Sequence, residues 1–392
     1  MRIDAHVHYM PPTMVEDLAN FSEREPYWGL LVAPGPGKPS VQGWATVERM
    51  IKDMDRAGLD KVILVGEYLY RHESCLARND QAMQIVKRWP DRVIACATIQ
   101  PKAGPKALDE LRRCVEGGLR GVGELNPYAQ GHAMNDPDFL RVVEACLDYE
   151  LPLNLHVSEE VGHYYPGKSA APLRCYYQLA CRYPELKLIL AHWGGGLIFY
   201  EIMASVRRNL KNVWYDTAAS PLLYPTEKIF KVALECLDHR KILYGSDYPL
   251  RLYPRKQREP DFGPFIDEID QLNLSPEVYA DIMGNNAARL FGLPGYQDTM
   301  GQTVEQDVTS NSTRVAAEAV KIQGFMAVSL VAEAWPETQP IFEKFGIPWQ
   351  DNPVPAWEPI VQAAAAHGWG PQRQQRLLDE LNNAVSSFQS DL

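Results

Sequence analysis

No CxxC pair occurs among the seven cysteines of this 392-residue sequence, and their positions (75, 96, 114, 146, 175, 181 and 236) follow no metal-ligand or disulfide spacing. Most fall within apolar helix or strand patterns, so reduced, buried thiols and a cytoplasmic location are expected. No apolar run reaches the roughly 18 residues that a membrane-spanning helix needs. The N-terminus lacks a basic segment followed by an apolar stretch, so no signal peptide is read. Basic residues are outnumbered, 39 Lys and Arg against 50 Asp and Glu, giving a formal charge of −11. That balance argues against nucleic acid, whose partners are basic, and no membrane partner is expected. No GxGxxG follows the first strand pattern, which leaves a dinucleotide fold without its phosphate-binding turn. No internal repeat is evident.

Apolar side chains are plentiful, at 46 % of the chain. The length suits one large domain and one small one. Eight β-rich runs recur at 2–8, 61–66, 92–100, 121–125, 151–157, 186–193, 212–217 and 241–247. Several are unbroken Val/Ile/Leu runs, as parallel strands covered on both faces require. Helical spacing fills the intervals. Phe139, Val142, Val143, Cys146 and Leu147 make one stripe, with Asp136 placed to cap it and Pro137 at its first position. The patterns from Thr46 and from Pro105 both stop at glycines. Eight strands alternating with helices over residues 1–296 predict a (β/α)8 TIM barrel, with a doubly wound open sheet as the structural rival. Residues 297–311 carry no apolar periodicity and read as a linker. Residues 312–392 hold helical patterns broken by Pro and Gly, which predict a small all-α C-terminal domain.

The first strand, RIDAHVH, ends in a pair that alternation puts on one face. His6 and His8 lie about 7 Å apart along the backbone and are able to converge on one ion. Side chains at the C-terminal ends of barrel strands form the active site. Glu124 falls near the end of strand four, His156 at the end of five, His192 of six and Asp247 of eight. Closure of the barrel brings strand eight beside strand one, so Asp247 should face the histidine pair. A lone His at a strand end is ordinarily a satisfied polar residue; the joint placement predicts a metal site. Such donors suit zinc, manganese or iron, with zinc the first expectation.

The HxH pair, the His of LNLHV, the His of LAHWGGG and the Asp of YGSDYP together resemble the amidohydrolase superfamily. The resemblance is to its TIM-barrel metal-dependent hydrolases and decarboxylases, relatives of aminocarboxymuconate semialdehyde decarboxylase, and GNNAARLFGL resembles their final helix. It covers residues 1–296. It implies His6, His8, His156 and Asp247 as metal ligands and His192 as a second-metal ligand or an acid/base residue. GVGELNPY resembles the strand on which TatD-type deoxyribonucleases carry a glutamate bridging two metals. That likeness makes Glu124 a candidate ligand and leaves one or two ions per chain open.

The activity this implies is hydrolysis of an ester, lactone or amide in a small, carboxylated molecule. Water is activated by the metal, with Asp247 and His192 as the catalytic pair. Nonoxidative decarboxylation of an aromatic or unsaturated acid is the alternative, because one ligand set serves both chemistries. TatD-like nuclease action and a catalytically silent metal-binding scaffold come after them. Arg251, His163 and Trp193 are candidate substrate contacts, with Glu159 and Tyr164 near the same mouth. The loop 32–39 is a candidate cover. His72, His132, His239 and His367 have no companion at metal spacing and are read as structural. The C-terminal part resembles a small helical domain of unknown function but lacks the cysteine pair that often follows FGI there. A packing module in a homo-oligomer is expected.

Overall fold

The structure is a computed structural model that describes residues 1–32, 40–162, 165, 168, 171–296, 322–324, 326–347, 349, 359–366 and 368–390. Its contacts separate two compact units, Met1–Met134 with Asp138–Asp298, and Asn135–Pro137 with Thr299–Leu392. The stretch expected to be a linker, 297–311, lies outside the described residues.

The first unit carries eight parallel strands: β1 Ile3–Val7, β2 Lys61–Leu64, β3 Val93–Ala95, β4 Val122–Leu125, β5 Leu153–Leu155, β6 Leu188–Leu190, β7 Val213–Asp216 and β8 Ile242–Leu243. They pair in sequence order as β1-β2-β3 and β4-β5-β6-β7-β8. Both seams are bridged. Ala97 pairs with Val122 between β3 and β4, and Val7 pairs with Tyr248 between β1 and the end of β8. Backbone bonds Gly123 N to Ala97 O (2.9 Å) and Ala5 N to Tyr244 O (2.7 Å) support them. Every strand therefore has a neighbour on each side, and the sheet is a (β/α)8 barrel rather than an open doubly wound one.

β1 is buried along its whole length, which is why barrel strands read as unbroken apolar runs. Most strands are shorter than their sequence patterns, and in most the last residues of the run lie outside the strand. The helix Val47–Ala57 begins where the Thr46 side chain accepts from Arg49 N and ends at Gly58, in the left-handed conformation at φ 68°. It buries Val47, Met50, Ile51 and Met54, the helical spacing that turns one stripe to the core. Pro137–Asp148 does the same with Phe139, Val142, Val143 and Cys146.

At the entry to β8, Lys241 is buried. Its ammonium pairs with Glu201 and donates to Leu210 O at 2.9 Å, while Tyr215 OH donates to Glu201 at 2.7 Å. The described helices of the second unit are Val328–Ala334, Gln339–Lys344, Ile360–Ala366 and Pro371–Ser390. They enclose a core of their own that includes Ile322, Val331, Phe342, Leu377 and Leu381. Among the described residues no helix is long and apolar enough to cross a membrane.

Candidate metal centre

Alternation along β1 delivers what the HVH pair predicts: the His6 and His8 Nε2 atoms lie 3.3 Å apart, both rings buried. The β8–β1 seam brings Asp247 to them. Its N–H donates to His6 O at 2.8 Å, and its Oδ1 lies 3.4 Å from His8 Nε2 and 4.0 Å from His6 Nε2. From β4, Glu124 reaches the same point with Oε2, 3.9 Å from His6 Nε2 and 3.7 Å from His8 Nε2. Its other oxygen turns away from that pair. Oε1 lies 2.8 Å from His156 Nδ1 and 3.5 Å from His192 Nε2, with those two nitrogens 3.3 Å apart. One carboxylate thus joins two groups of three donors, His6–His8–Glu124 and Glu124–His156–His192, with ligating atoms within 4.8 Å of one another in each group.

The proton inventory of these rings fits a cation. His6 Nδ1 lies 2.8 Å from Asp216 Oδ2, an acceptor that only an N–H satisfies, so in the neutral ring Nε2 carries the lone pair. His192 Nδ1 likewise faces the Ala218 carbonyl at 2.9 Å, which frees its Nε2. Asp216 fixes the loop too, because its Oδ1 accepts from His192 N at 2.9 Å. Ser158 Oγ meets His156 Nε2 at 3.0 Å, leaving Nδ1 toward Glu124. Burial by itself pulls the His6 and His192 imidazoles down. Asp216 and Glu124 at His6 outweigh it and hold that ring up to about 10, and Glu124 and Asp247 hold His192 up to about 9. Burial pulls Glu124 upward, yet His156 and His6 hold it well below the usual carboxylate range. A field that keeps protons on imidazoles is one that favours a divalent ion in their place.

Backbone strain marks the same positions. His192, Trp193 and Asp247 sit at φ 57°, 58° and 68°, where each non-glycine residue costs about 1–3 kcal/mol. The glycines after them are dictated by close approach: a Cβ on Gly194 would meet the Tyr215 ring at 2.8 Å, at a φ of 58°.

The other sequence candidates fare differently. Trp193 is fully buried, donates its N–H to Ser220 Oγ at 2.9 Å and packs edge-on to Phe230. It fills the layer behind His192. Arg251 donates to Ser40 O and anchors that segment by its N–H to Val41 O at 2.9 Å; among the described residues it pairs with none of the metal-site donors. His163, Tyr164, His367 and residues 33–39 of the candidate cover lie outside the described residues. His239 does have companions: it forms a third donor group with Glu277 and Asp281, in which Arg289 already pairs with Asp281 at 3.0 Å. A cavity of about 1040 Å³ lined by Tyr224, Phe230, Tyr253 and Leu272 contains none of the candidate donors.

Sequence reasoning missed three kinds of residue. Asp216 ends β7 and carried the same strand-end signal as the residues that were singled out. Asp4 is buried under the pair, accepting from His6 N at 3.1 Å and Ser246 N at 3.0 Å, and burial pushes it up to about 7. Trp28 and Tyr68, in segments without pattern, pack against His8 and His156.

Residues 3–293 match the amidohydrolase family model. The chain belongs to the amidohydrolase family. Two curated relatives lie further off. A 2-amino-3-carboxymuconate-6-semialdehyde decarboxylase from Dictyostelium discoideum is 24% identical over 55% of this chain and 65% of its own length, so the chain spans just under two thirds of that relative. A 4-sulfomuconolactone hydrolase from Rhizobium radiobacter is 22% identical over 74% of this chain and 89% of that protein. Among solved structures, 5-carboxyvanillate decarboxylase from Novosphingobium aromaticivorans, complexed with manganese, superposes with a TM-score of 0.56. It is 18% identical, over 75% of this chain and 96% of that one. The chain is accordingly an amidohydrolase-family member with a TIM-barrel fold, and its two donor groups are of a kind that could hold a metal ion.

Proposed function

We propose that this amidohydrolase is a hydrolase that cleaves an ester, lactone or amide bond in a small carboxylated molecule, with two divalent ions, zinc first, per chain. The observation that carries the reading is the division of Glu124, one oxygen to His6 and His8 and the other to His156 and His192. In it, His6, His8 and Glu124 would hold one ion, with Asp247 beside them, and Glu124, His156 and His192 would hold the other. When bound, such ions supply Lewis acidity and lower the pKa of water toward neutrality.

The remaining chemistry belongs to the chain. Burial pulls Asp247 upward, but the His8 hydrogen bond and the charges of His6, His8 and His192 hold it below the ordinary carboxylate range, so it is ionised at neutral pH. Asp247 takes the proton that the attacking water gives up as its oxygen bonds to the carbonyl carbon. It returns that proton to the alcohol or amine oxygen or nitrogen as the old bond breaks. Asp216 and the Ala218 carbonyl keep the His6 and His192 rings from turning.

Decarboxylation is the second reading, supported by the activity of the Dictyostelium relative. In that case the bond from carbon to carboxylate breaks and its electron pair stays on carbon as carbon dioxide leaves; that carbon takes a proton which Asp247, ionised at rest, has first taken up from solvent. Incubation of the metal-loaded enzyme with a muconolactone and with 5-carboxyvanillate, in ¹⁸O-labelled water, separates the two. Label in a newly formed carboxylate supports hydrolysis; carbon dioxide release with no label in the organic product replaces it with decarboxylation.

A further inference from the structure

Trp28 stands beside the donors without any motif to mark it. Its ring meets His8 edge-on at 5.3 Å and Tyr68 edge-on at 4.6 Å, and Tyr68 in turn lies 5.1 Å from the His156 ring. The Trp28–Tyr68 pair therefore spans the two donor groups, touching His8 of one and His156 of the other.

Trp28 is 5% exposed, and its indole nitrogen is buried without a hydrogen-bond partner. An indole N–H donates and cannot accept, and among the described residues no acceptor lies within hydrogen-bond distance of it. Buried donors left unpaired are rare and call for an explanation. A residue needed for packing alone would be served by Phe, which has no such group to leave unpaired.

We propose that Trp28 binds the substrate directly, its indole N–H donating to a carboxylate or carbonyl oxygen of a molecule held against the Trp28–Tyr68 edge. The inference rests on the metal-enzyme reading above and adds to it the group that orients the substrate over the two donor sets. An anionic oxygen is the stronger acceptor, so a small carboxylate anion is the ligand class.

Benzoate is a suitable probe, titrated into the zinc-loaded full chain carrying ¹⁵N-indole-labelled tryptophan, with Trp28→Phe identifying the Trp28 resonance. The zinc content of every sample is measured in parallel. The expected result is a downfield shift of the Trp28 indole proton on saturation. Trp28→Phe, which keeps the ring contacts and loses the N–H, should weaken benzoate binding about tenfold at unchanged zinc content, the worth of one charge-assisted hydrogen bond. With a turned-over substrate the same variant should raise KM while leaving kcat nearly unchanged. Zinc-loaded protein in which benzoate fails to bind, or binds with the Trp28 resonance unmoved, or binds equally to Trp28→Phe, overturns the inference and leaves the metal-enzyme reading standing. Failure to load zinc overturns both.

Discussion

Asp216 grips two candidate ligands at once, its Oδ2 2.8 Å from His6 Nδ1 and its Oδ1 accepting from His192 N at 2.9 Å. β7 thus orients a ring on β1 and the turn after β6, although it contributes no donor to either group. Such a carboxylate selects the tautomer in which the far nitrogen is free to bind.

Asp216→Asn should therefore weaken zinc binding by about 10–100-fold, as losses of carboxylates behind ligand histidines do. Competition with a chromogenic chelator measures it. Wild-type affinity in the variant would mean that the His6 ring is fixed by packing alone.

Glu124→Gln tests the bridge. The amide keeps the size of the side chain but loses the charge that faces both donor groups. Zinc content should fall from two ions per chain to one or fewer, and activity by at least about 100-fold. Retention of both ions at full occupancy would contradict the division of Glu124 between two sites.

Lys241→Met leaves Glu201 buried and charged beneath the barrel, where a broken buried pair costs about 3–5 kcal/mol. Adding Glu201→Gln removes the stranded charge while still accepting from Tyr215 OH, so the double variant should recover much of that loss. Urea unfolding of the two variants is the measurement. Equal stability in both would place the cost in packing and not in charge.

Glu110 supplies a pH test away from the metal centre. Burial pulls its carboxyl up, but Arg113, at 2.7 Å to each oxygen, and Asn79 outweigh that and lower it. A carboxyl lowered on folding binds fewer protons in the native state. Its contribution is complete above the ordinary glutamate range and is lost as pH falls through the lowered value. Glu110→Gln should cost about 1–3 kcal/mol at neutral pH, and the gap to wild type should narrow below about pH 5. A gap that is constant from neutral pH to pH 4 would show that Glu110 acts by shape and not by charge.

Much of this was legible in one dimension because strands have a period of two and barrels expose one end. Alternation put His6 and His8 on one face, and the ends of four later strands carried Glu124, His156, His192 and Asp247. Asp216 was equally legible by that rule. For Trp193, sequence adjacency to His192 says nothing of direction: with φ at 58° there, the indole packs in the core. Trp28 had no signal, since a helix of seven residues (Pro26–Val32) is too short for its period to declare a face.

By itself the sequence determined the strand count, the parallel barrel and the set of candidate donor residues, because apolar periodicity and strand-end chemistry are local properties of the chain. Only the tertiary structure decided how the donors are shared. Closure of the barrel sets β4 across from β1 and beside β5, so that one carboxylate faces two histidine pairs, and puts β7 behind His6. Those are distances between residues from 32 to 210 positions apart, which no local pattern encodes.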